Sequence, residues 1–179
     1  MRKNPAVAPE ATPFNVVIME EMWHPPGHRY VQVGLRDQKG SDVNGNGDYG
    51  FVYFHNIKDG YNDNIWFIQN SRVPTNDHGP LLYDVAMELA SDSDFGLASD
   101  VAVSLDACRV WYYYFHNRPD IEKELMPDNK FLFKKQRNMN WKKSGLPGPN
   151  ALLYAYRKQL DKIPRLDALG KLSYEKENL

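Results

Sequence analysis

The sequence has one cysteine, no long apolar run and almost no net charge, and each of these absences removes a class of protein. Cys108 is the single cysteine among 179 residues, so no internal disulfide can form and nothing indicates an oxidising compartment. No apolar stretch approaches the roughly 18–20 residues that would span a bilayer. The net charge of −1 gives no long-range attraction to nucleic acid or to an anionic membrane. We therefore expect a soluble, cytoplasmic protein.

Large apolar side chains are abundant, with 42% hydrophobic and 13% aromatic residues, and the length suits one domain with a substantial core. Residues 1–13 contain three prolines and are expected to form a flexible N-terminal arm. The basic start of the chain is not followed by an apolar region, so we expect no secretory signal. The folded domain is predicted at 14–172, and the polar residues 173–179 are expected to form a loose tail.

Four runs in the first part of the chain are rich in β-branched and aromatic residues and end at Gly, Pro, Asn or Asp turn signals. The short separators between them favour antiparallel pairing of neighbouring strands. The predicted strands cover 14–22, 29–35, 49–56 and 64–73.

The apolar spacing then becomes helical. A first helix is predicted to begin at Gly79 and Pro80, because proline is tolerated in the first turn. A short strand is expected at 96–99. A second helix is predicted to begin after Ser104, a good N-cap, and to end near Pro119.

The last third of the chain is predicted to contain one or two strands in 131–141 and a short helix in 150–162. The whole order is four strands, a helix, a strand, a helix, and then further strand and helix. This order predicts an α+β fold in which helices flank a single mixed, mostly antiparallel sheet.

The stretch from Ile65 to Phe115 resembles a known family. A strand, IWFIQNSRV, leads through a turn into a helix, GPLLYDVAMELA; a short strand, GLASD, and a helix with SLDACRVWYYYF follow. This order resembles the central part of the GNAT-type N-acetyltransferase superfamily, particularly the small GNAT-like proteins of bacteriophages. The tail segment LLYAYRK…LDALGKL is similar to the end of such sequences. The resemblance implies a GNAT-like fold and acyl-CoA-dependent transfer of an acetyl group to an unknown amine.

The resemblance also implies a site for acetyl-CoA where the fourth and fifth strands diverge, with the pyrophosphate on the N-terminus of the helix that follows. A tyrosine of the second helix would protonate the departing thiolate; Tyr112 or Tyr113 is preferred, because Tyr114 fits the apolar stripe. His78 is a further catalytic candidate. The implied cofactor contacts are Gln69, Asn70, Ser71, His78, Gly79, Leu81 and Leu82. The general base stays open among Glu20, Glu21, His78 and a bound water.

Departures from the family pattern support an alternative. The family's phosphate-binding loop reads Gln or Arg, two residues, Gly, one residue, then Gly or Ala. With Gly79 last, Pro74 takes the first place and Asp77 the first glycine's place, where its carboxylate would repel a pyrophosphate. The two helices that follow the first strand in this family are also missing. The alternative is a non-catalytic, protein-binding GNAT-fold module, either a phage virion component or a host-protein inhibitor, in the virion or the host cytoplasm.

Other patterns favour simpler interpretations. Residues 42–47 begin like an EF-hand loop, but Tyr53 stands where the acidic twelfth ligand belongs, so a hairpin turn is favoured and no metal site is expected. Lysines and aromatics alternate in 131–143, as in single-stranded nucleic-acid binders, yet a hairpin with one solvated face gives the same pattern and is favoured. Cys108 has no adjacent base and is interpreted as a packing residue.

Overall fold

The computed structural model describes most of the chain, in seven segments separated by short gaps. They form one mixed sheet of eight strands with helices packed on it, so the predicted α+β fold class is confirmed. None of the helices in these segments is long and apolar enough to cross a membrane. The described residues are 7–23, 28–37, 49–56, 65–73, 77–92, 96–127 and 134–177.

The strands and helices are bounded as follows. The strands are β1 Asn15–Trp23, β2 His28–Arg36, β3 Phe51–Asn56, β4 Ile65–Arg72, β5 Gly96–Ala98, β6 Ile121–Leu125, β7 Tyr154–Lys158 and β8 Leu172–Glu177. The helices are α1 Gly79–Ala90, α2 Leu105–Asn117, α3 Met139–Ser144 and α4 Lys162–Ala168, with a 3₁₀ turn at Ala151–Leu153.

The order across the sheet is β6-β7-β5-β4-β3-β2-β1-β8. Strands β1 to β4 form an antiparallel meander, as the short separators in the sequence predicted. Trp23 of β1 pairs directly with His28 of β2, so only four residues connect them and no helix pair intervenes. Two strand pairs, β4 with β5 and β1 with β8, are parallel.

The main core lies on one face of this sheet, where alternate residues of the meander point inward. Val16 and Ile18 of β1 pair with Leu35 and Val33 of β2, and all four side chains are buried. Helix α1 covers this face, and most of its residues are buried because it connects β4 to β5 across the sheet. An all-round apolar helix is expected at such a position.

The last third of the fold differs from the sequence prediction. Helical structure replaces the strands predicted at 131–141, with a turn at 134–136 followed by α3; residues 131–133 lie outside the described segments. The helix predicted at 150–162 is instead a 3₁₀ turn followed by β7. Strand β7 lies between β5 and β6, so sheet pairing on both edges outweighs the helical spacing predicted for Tyr154–Lys158, and only Ala151–Leu153 keeps a helical turn.

Both ends of the chain are more ordered than predicted. Part of the expected loose tail, 173–179, belongs to β8, which pairs with β1. Residues 7–13 of the expected flexible arm pack against the domain: Thr12 is 2% exposed, and Lys171 Nζ donates to its carbonyl oxygen at 2.9 Å. Glu10 also forms an ion pair with Arg165 of α4. Contacts with the folded domain therefore order both segments.

Glu88 of α1 is a fully buried carboxylate that connects three elements. Its Oε1 lies 2.6 Å from Nζ of Lys158 at the end of β7. The same carboxylate accepts hydrogen bonds from the backbone N–H groups of Lys162 and Ile163, at 2.8 and 2.9 Å. These are the first N–H groups of α4, whose own N-cap residue, Asp161, forms no side-chain cap. Glu88 therefore stabilises the start of α4 from outside that helix.

We predict that Glu88→Ala lowers the free energy of unfolding by about 3–5 kcal/mol, because the buried Lys158 would keep only the half-exposed Asp161, at 3.7 Å, as a partner. Urea unfolding of the purified protein measures this change. Asp92→Ala is the matched control, since its carboxylate is mostly exposed and lies 4.0 Å from Arg29. A surface change of this kind is expected to alter stability by less than about 0.5 kcal/mol. Equal effects of the two substitutions would contradict the assignment.

Candidate functional site

Strands β4 and β5 diverge in the middle of the sheet. They pair over only three residues, and the last pair is Phe67 with Ala98. Strand β4 continues to Arg72 beside β3, so its second half has no strand partner on the β5 side in the described part of the chain. A bulge in β4 leaves Gln69 as an extra residue between the paired Ile68 and Asn70. The family resemblance implied such a divergence, and in the structure the pairing of β4 with β5 ends at Phe67 and Ala98.

The three predicted cofactor contacts on β4 have different surroundings. Gln69 and Asn70 are exposed. The Gln69 amide oxygen lies 3.2 Å from Nδ1 of His55, and burial lowers the pKa of that histidine. Ser71 is half-buried, and its Oγ lies 3.0 Å from the hydroxyl of Tyr83 on α1. Ser71 therefore ties β4 to α1 beside the divergence, whereas Gln69 and Asn70 are accessible from solvent.

The start of α1 is open on one side and covered on the other. His78 is only 6% exposed; its Nε2 lies 3.0 Å from Oγ1 of Thr12, and Phe14 packs edge-on against its ring. Among the described residues, no side chain caps the helix, and a Cβ added to Gly79 would meet no atom within 4 Å. The N-terminal arm thus holds the His78 ring, while the side of Gly79 that a Cβ would occupy is open within this part of the chain.

Leu81 and Leu82, also predicted as cofactor contacts, have fully buried side chains that belong to the main core. Their side chains therefore cannot contact a ligand, and of their two backbone N–H groups only that of Leu81 lies before the first intrahelical bond. The first intrahelical bond runs from the Leu82 N–H to the His78 carbonyl, at 3.1 Å. The N–H groups of the first turn that precede it have no acceptor within the helix, as at any helix start.

The three consecutive tyrosines of α2 differ in how deeply they are buried. Tyr112 is half-buried and stacks on His116, with ring centroids 4.3 Å apart. Tyr113 is half-buried and packs edge-on against Tyr114. Tyr114 is 1% exposed, as its place in the apolar stripe predicted. Its hydroxyl lies 3.4 Å from the Pro80 carbonyl, so this tyrosine reaches the first turn of α1.

A buried ionic network, which the sequence reasoning missed, surrounds the Tyr114 hydroxyl. Asp84 of α1 is fully buried and accepts two hydrogen bonds from the Arg118 guanidinium, at 2.9 and 3.0 Å. Arg118 also donates to Asp120. Burial raises the pKa of Asp84, against the opposing effect of Arg118, and burial together with Asp84 raises the pKa of Tyr114 well above its usual range. Two acidic residues, Asp84 and Glu88, in the mostly apolar helix GPLLYDVAMELA were the available signal.

The two glutamates that were candidate general bases lie on opposite faces of β1. Glu20 forms an ion pair with Arg29 at 2.9 Å, and that guanidinium lies over the ring of Trp66. Glu21 faces Tyr53; burial, and then the charge of Glu21, raise the pKa of this tyrosine to about 12. Glu20 therefore belongs to a structural ion pair, and His78 is held by its contact with Thr12 of the N-terminal arm.

The sequence prediction that Lys135 is exposed to solvent is wrong. Lys135 was counted among the basic residues of a solvated hairpin, but its side chain is fully buried. Its Nζ lies 3.7 Å from Sδ of Met126 and 5.4 Å from the ring centre of Phe67, the last β4 residue paired with β5. No carboxylate of the described residues lies within ion-pair distance. Burial lowers the pKa of Lys135 to about 7, although Asp100 opposes the shift.

A cleft of about 880 Å³ lies on the far side of α1, next to the Glu88–Lys158 pair. Its walls come from the end of α1, the start of β6 and the turn after β7. Asp92, Asp120, Glu122 and Asp161 give it a mainly acidic lining, and Arg157 balances part of this charge. None of the predicted site residues lines this cleft, so it is separate from the β4–β5 divergence.

Comparison with known proteins gives no relative, since no protein family, no curated protein and no solved structure matches the chain. Within the described segments, no group of three or more His, Cys, Asp or Glu side chains is arranged to hold a metal ion. The EF-hand-like residues 42–47 lie outside those segments.

We predict that Lys135→Met raises the free energy of unfolding by a few kcal/mol below pH 7, where burying the ammonium is most costly. The pKa is about 7 in the folded state, below the ordinary value near 10.5. The unfolded chain therefore binds more protons between these two values, and wild-type stability rises with pH across this window. The gain from Lys135→Met should shrink over the same window. Urea unfolding at a series of pH values measures it.

Lys134→Met is the control for this prediction, because Lys134 is exposed on the same helical turn. It removes the same charge without changing the core. A pH dependence that is identical for the two variants would mean that Lys135 is hydrated in solution.

Proposed function

We propose that this protein is a GNAT-like, acyl-CoA-dependent N-acyltransferase that acts on an amine. The observation that carries the proposal is the divergence of β4 from β5 directly before α1. The two strands separate after the pair Phe67–Ala98, and β4 continues with a bulge at Gln69. In the resembled family, this is where the acyl donor lies.

The residues present fit part of such a donor. Open space at Gly79 and the absence of a side-chain cap leave the positive end of the α1 dipole available to a phosphate group. The exposed side chains of Gln69 and Asn70 leave the bulged part of β4 accessible. Asp77, with φ of 68°, stands beside this helix start and is the unfavourable charge that a bound pyrophosphate must tolerate.

The donor would supply the activated acyl thioester. The chain's own residues would position the reactants and protonate the departing thiolate. Backbone N–H groups of β4 near Gln69 and Ser71 would stabilise negative charge on the thioester oxygen. Tyr112 and Tyr113 are half-buried and stay the candidates for the proton donor to the thiolate. Tyr114 reaches the first turn of α1, but the neighbouring Asp84 and the full burial make its hydroxyl a fixed structural donor.

Thermal unfolding with and without acetyl-CoA and desulfo-CoA tests the proposal. A ligand at 100 times its Kd stabilises the folded state by about 2.7 kcal/mol, which should raise Tm by about 2–4 °C for a chain of this length. Gly79→Glu should abolish the shift, because it places a carboxylate in the open space at the helix start. Gly79→Ala should retain the shift, since its methyl group meets no neighbour. If neither compound changes Tm, the proposal is wrong.

A second candidate function is a non-catalytic, protein-binding module of the same fold, such as a virion component or a host-protein inhibitor. The contact between Thr12 and His78 favours it, because the N-terminal arm occupies one side of the α1 start. The direct β1–β2 connection favours it as well, since no helix pair builds a wall for an acceptor there. A partner protein would then bind where an enzyme of this kind holds its substrates.

This second candidate predicts a stoichiometric complex with a partner protein. Size-exclusion chromatography with light scattering on material purified from its native source should then give a mass well above 20.7 kDa. The same material should show no Tm change with acetyl-CoA. A free chain whose Tm rises with acetyl-CoA would exclude this candidate in favour of the enzyme.

A further inference from the structure

The burial of the Lys135 amine calls for a functional explanation, because lysine is almost never fully buried without a partner. The side chain is 0% exposed, and among the described residues its Nζ meets the sulfur of Met126 and the ring of Phe67 at the distances given above. Asp100 is the charged group among these residues that acts on it, and only through space. Within the described part of the chain, the amine therefore lies in an apolar environment with no carboxylate at ion-pair distance.

We propose that the Nζ of Lys135 is a nucleophilic amine that condenses with a small, apolar aldehyde or ketone to form an imine. An uncharged lysine amine carries the lone pair that attacks a carbonyl carbon, and desolvation in an apolar pocket is a recognised means of activating it. The pKa near 7 agrees with this role, since a substantial fraction of the amine is neutral at physiological pH. The inference does not depend on the acyltransferase proposal.

The surroundings of Lys135 define the class of ligand. Phe67 and Met126 belong to a small second cluster of buried residues on the face of the sheet opposite the main core. Its members are Ile65, Phe67, Ala98, Met126 and Ala155. Two of them, Ala98 and Ala155, are paired across β5 and β7 and carry only a methyl group each. Such walls suit a short hydrocarbon chain and offer nothing to a charged or strongly polar compound.

Access to the amine is provided by the segment that carries it. The short helical turn at 134–136 and α3 are held to the loop after β5 by the side chains of Asn138 and Asn140. Their amide groups donate to the carbonyls of Val101 and Val103, at 3.0 and 2.8 Å. Trp141 of α3 also packs against the main core, so access to the amine requires local opening of this segment, and a short segment opens more readily than the sheet does. A small compound can enter in the open state, and closure then excludes water.

The reaction balances without an oxidant, a reductant or a metal. The Nζ lone pair forms a bond to the carbonyl carbon, and the carbonyl electron pair moves to oxygen, which takes a proton to give a carbinolamine. The first amine proton supplies that hydroxyl group, and the second moves to it as the C=N bond forms, so the C–O bond breaks and water leaves. The product is a neutral imine, which the apolar surroundings of Lys135 accommodate at lower cost than the ammonium.

Reductive trapping with propanal and sodium cyanoborohydride tests the proposal on the intact chain at pH 7. Digestion with a protease that does not cut at lysine, followed by mass spectrometry, gives the extent of alkylation at each residue. Lys135 should be alkylated at least about tenfold more than its exposed neighbour Lys134, since an ordinary lysine amine is almost fully protonated at this pH. The rate at Lys135 should level off above about pH 7, whereas that of an ordinary amine keeps rising.

Two variants complete the experiment. Lys135→Met should lose the fast-reacting site, and Lys134→Met should keep it. The proposal is overturned if Lys135 in the folded wild-type protein is alkylated no more than Lys134. It is also overturned if the rates at the two residues follow the same pH profile. Near-UV circular dichroism before the reaction establishes that the tertiary packing is intact.

Discussion

The carboxylate of Glu88 is the interaction on which the arrangement of helices and strands depends. Helix α1 lies across the middle of the sheet, and Glu88 attaches it both to the end of β7 and to the first turn of α4. One turn earlier, Asp84 attaches the same helix to Arg118, just after α2. Two acidic residues spaced four apart thus fix one helix against three other elements. Removing either would weaken the pairing of a buried cation, leaving Arg118 with Asp120 or Lys158 with Asp161.

The first two thirds of the fold were predictable because local and long-range signals agree there. The meander strands carry alternating apolar residues, and Ser104 caps α2 by accepting from the Ala107 N–H, as a serine in that position should. The last third was not predictable in the same way. Strand β6 buries only Ile121 and exposes the four residues that follow, so its sequence lacks the apolar alternation that would predict a strand. Its existence depends on β7, which in turn depends on β5.

The candidate site was likewise predictable from the sequence only in part. The sequence predicted the helix start at Gly79, since this depends on local order along the chain, whereas the divergence of β4 from β5 was only what the family resemblance implied. It did not reveal that Thr12, 66 residues before His78, would hold the histidine ring. Lys135 was misread for a related reason: a lysine among other basic residues indicates solvent, and only tertiary packing against Phe67 and Met126 buries it.

The two outermost strands of the sheet, β6 and β8, have a consequence for how this molecule meets its copies. Their sequences, IEKEL and LSYEKE, place glutamate and lysine along the outer rows of the sheet. An outer strand offers its backbone to any extended peptide, and charged side chains oppose the approach of a second sheet. Growth into a continuous intermolecular sheet is therefore disfavoured at both ends by electrostatic repulsion and hydration, and the chain can accumulate to high concentration without edge-to-edge polymerisation.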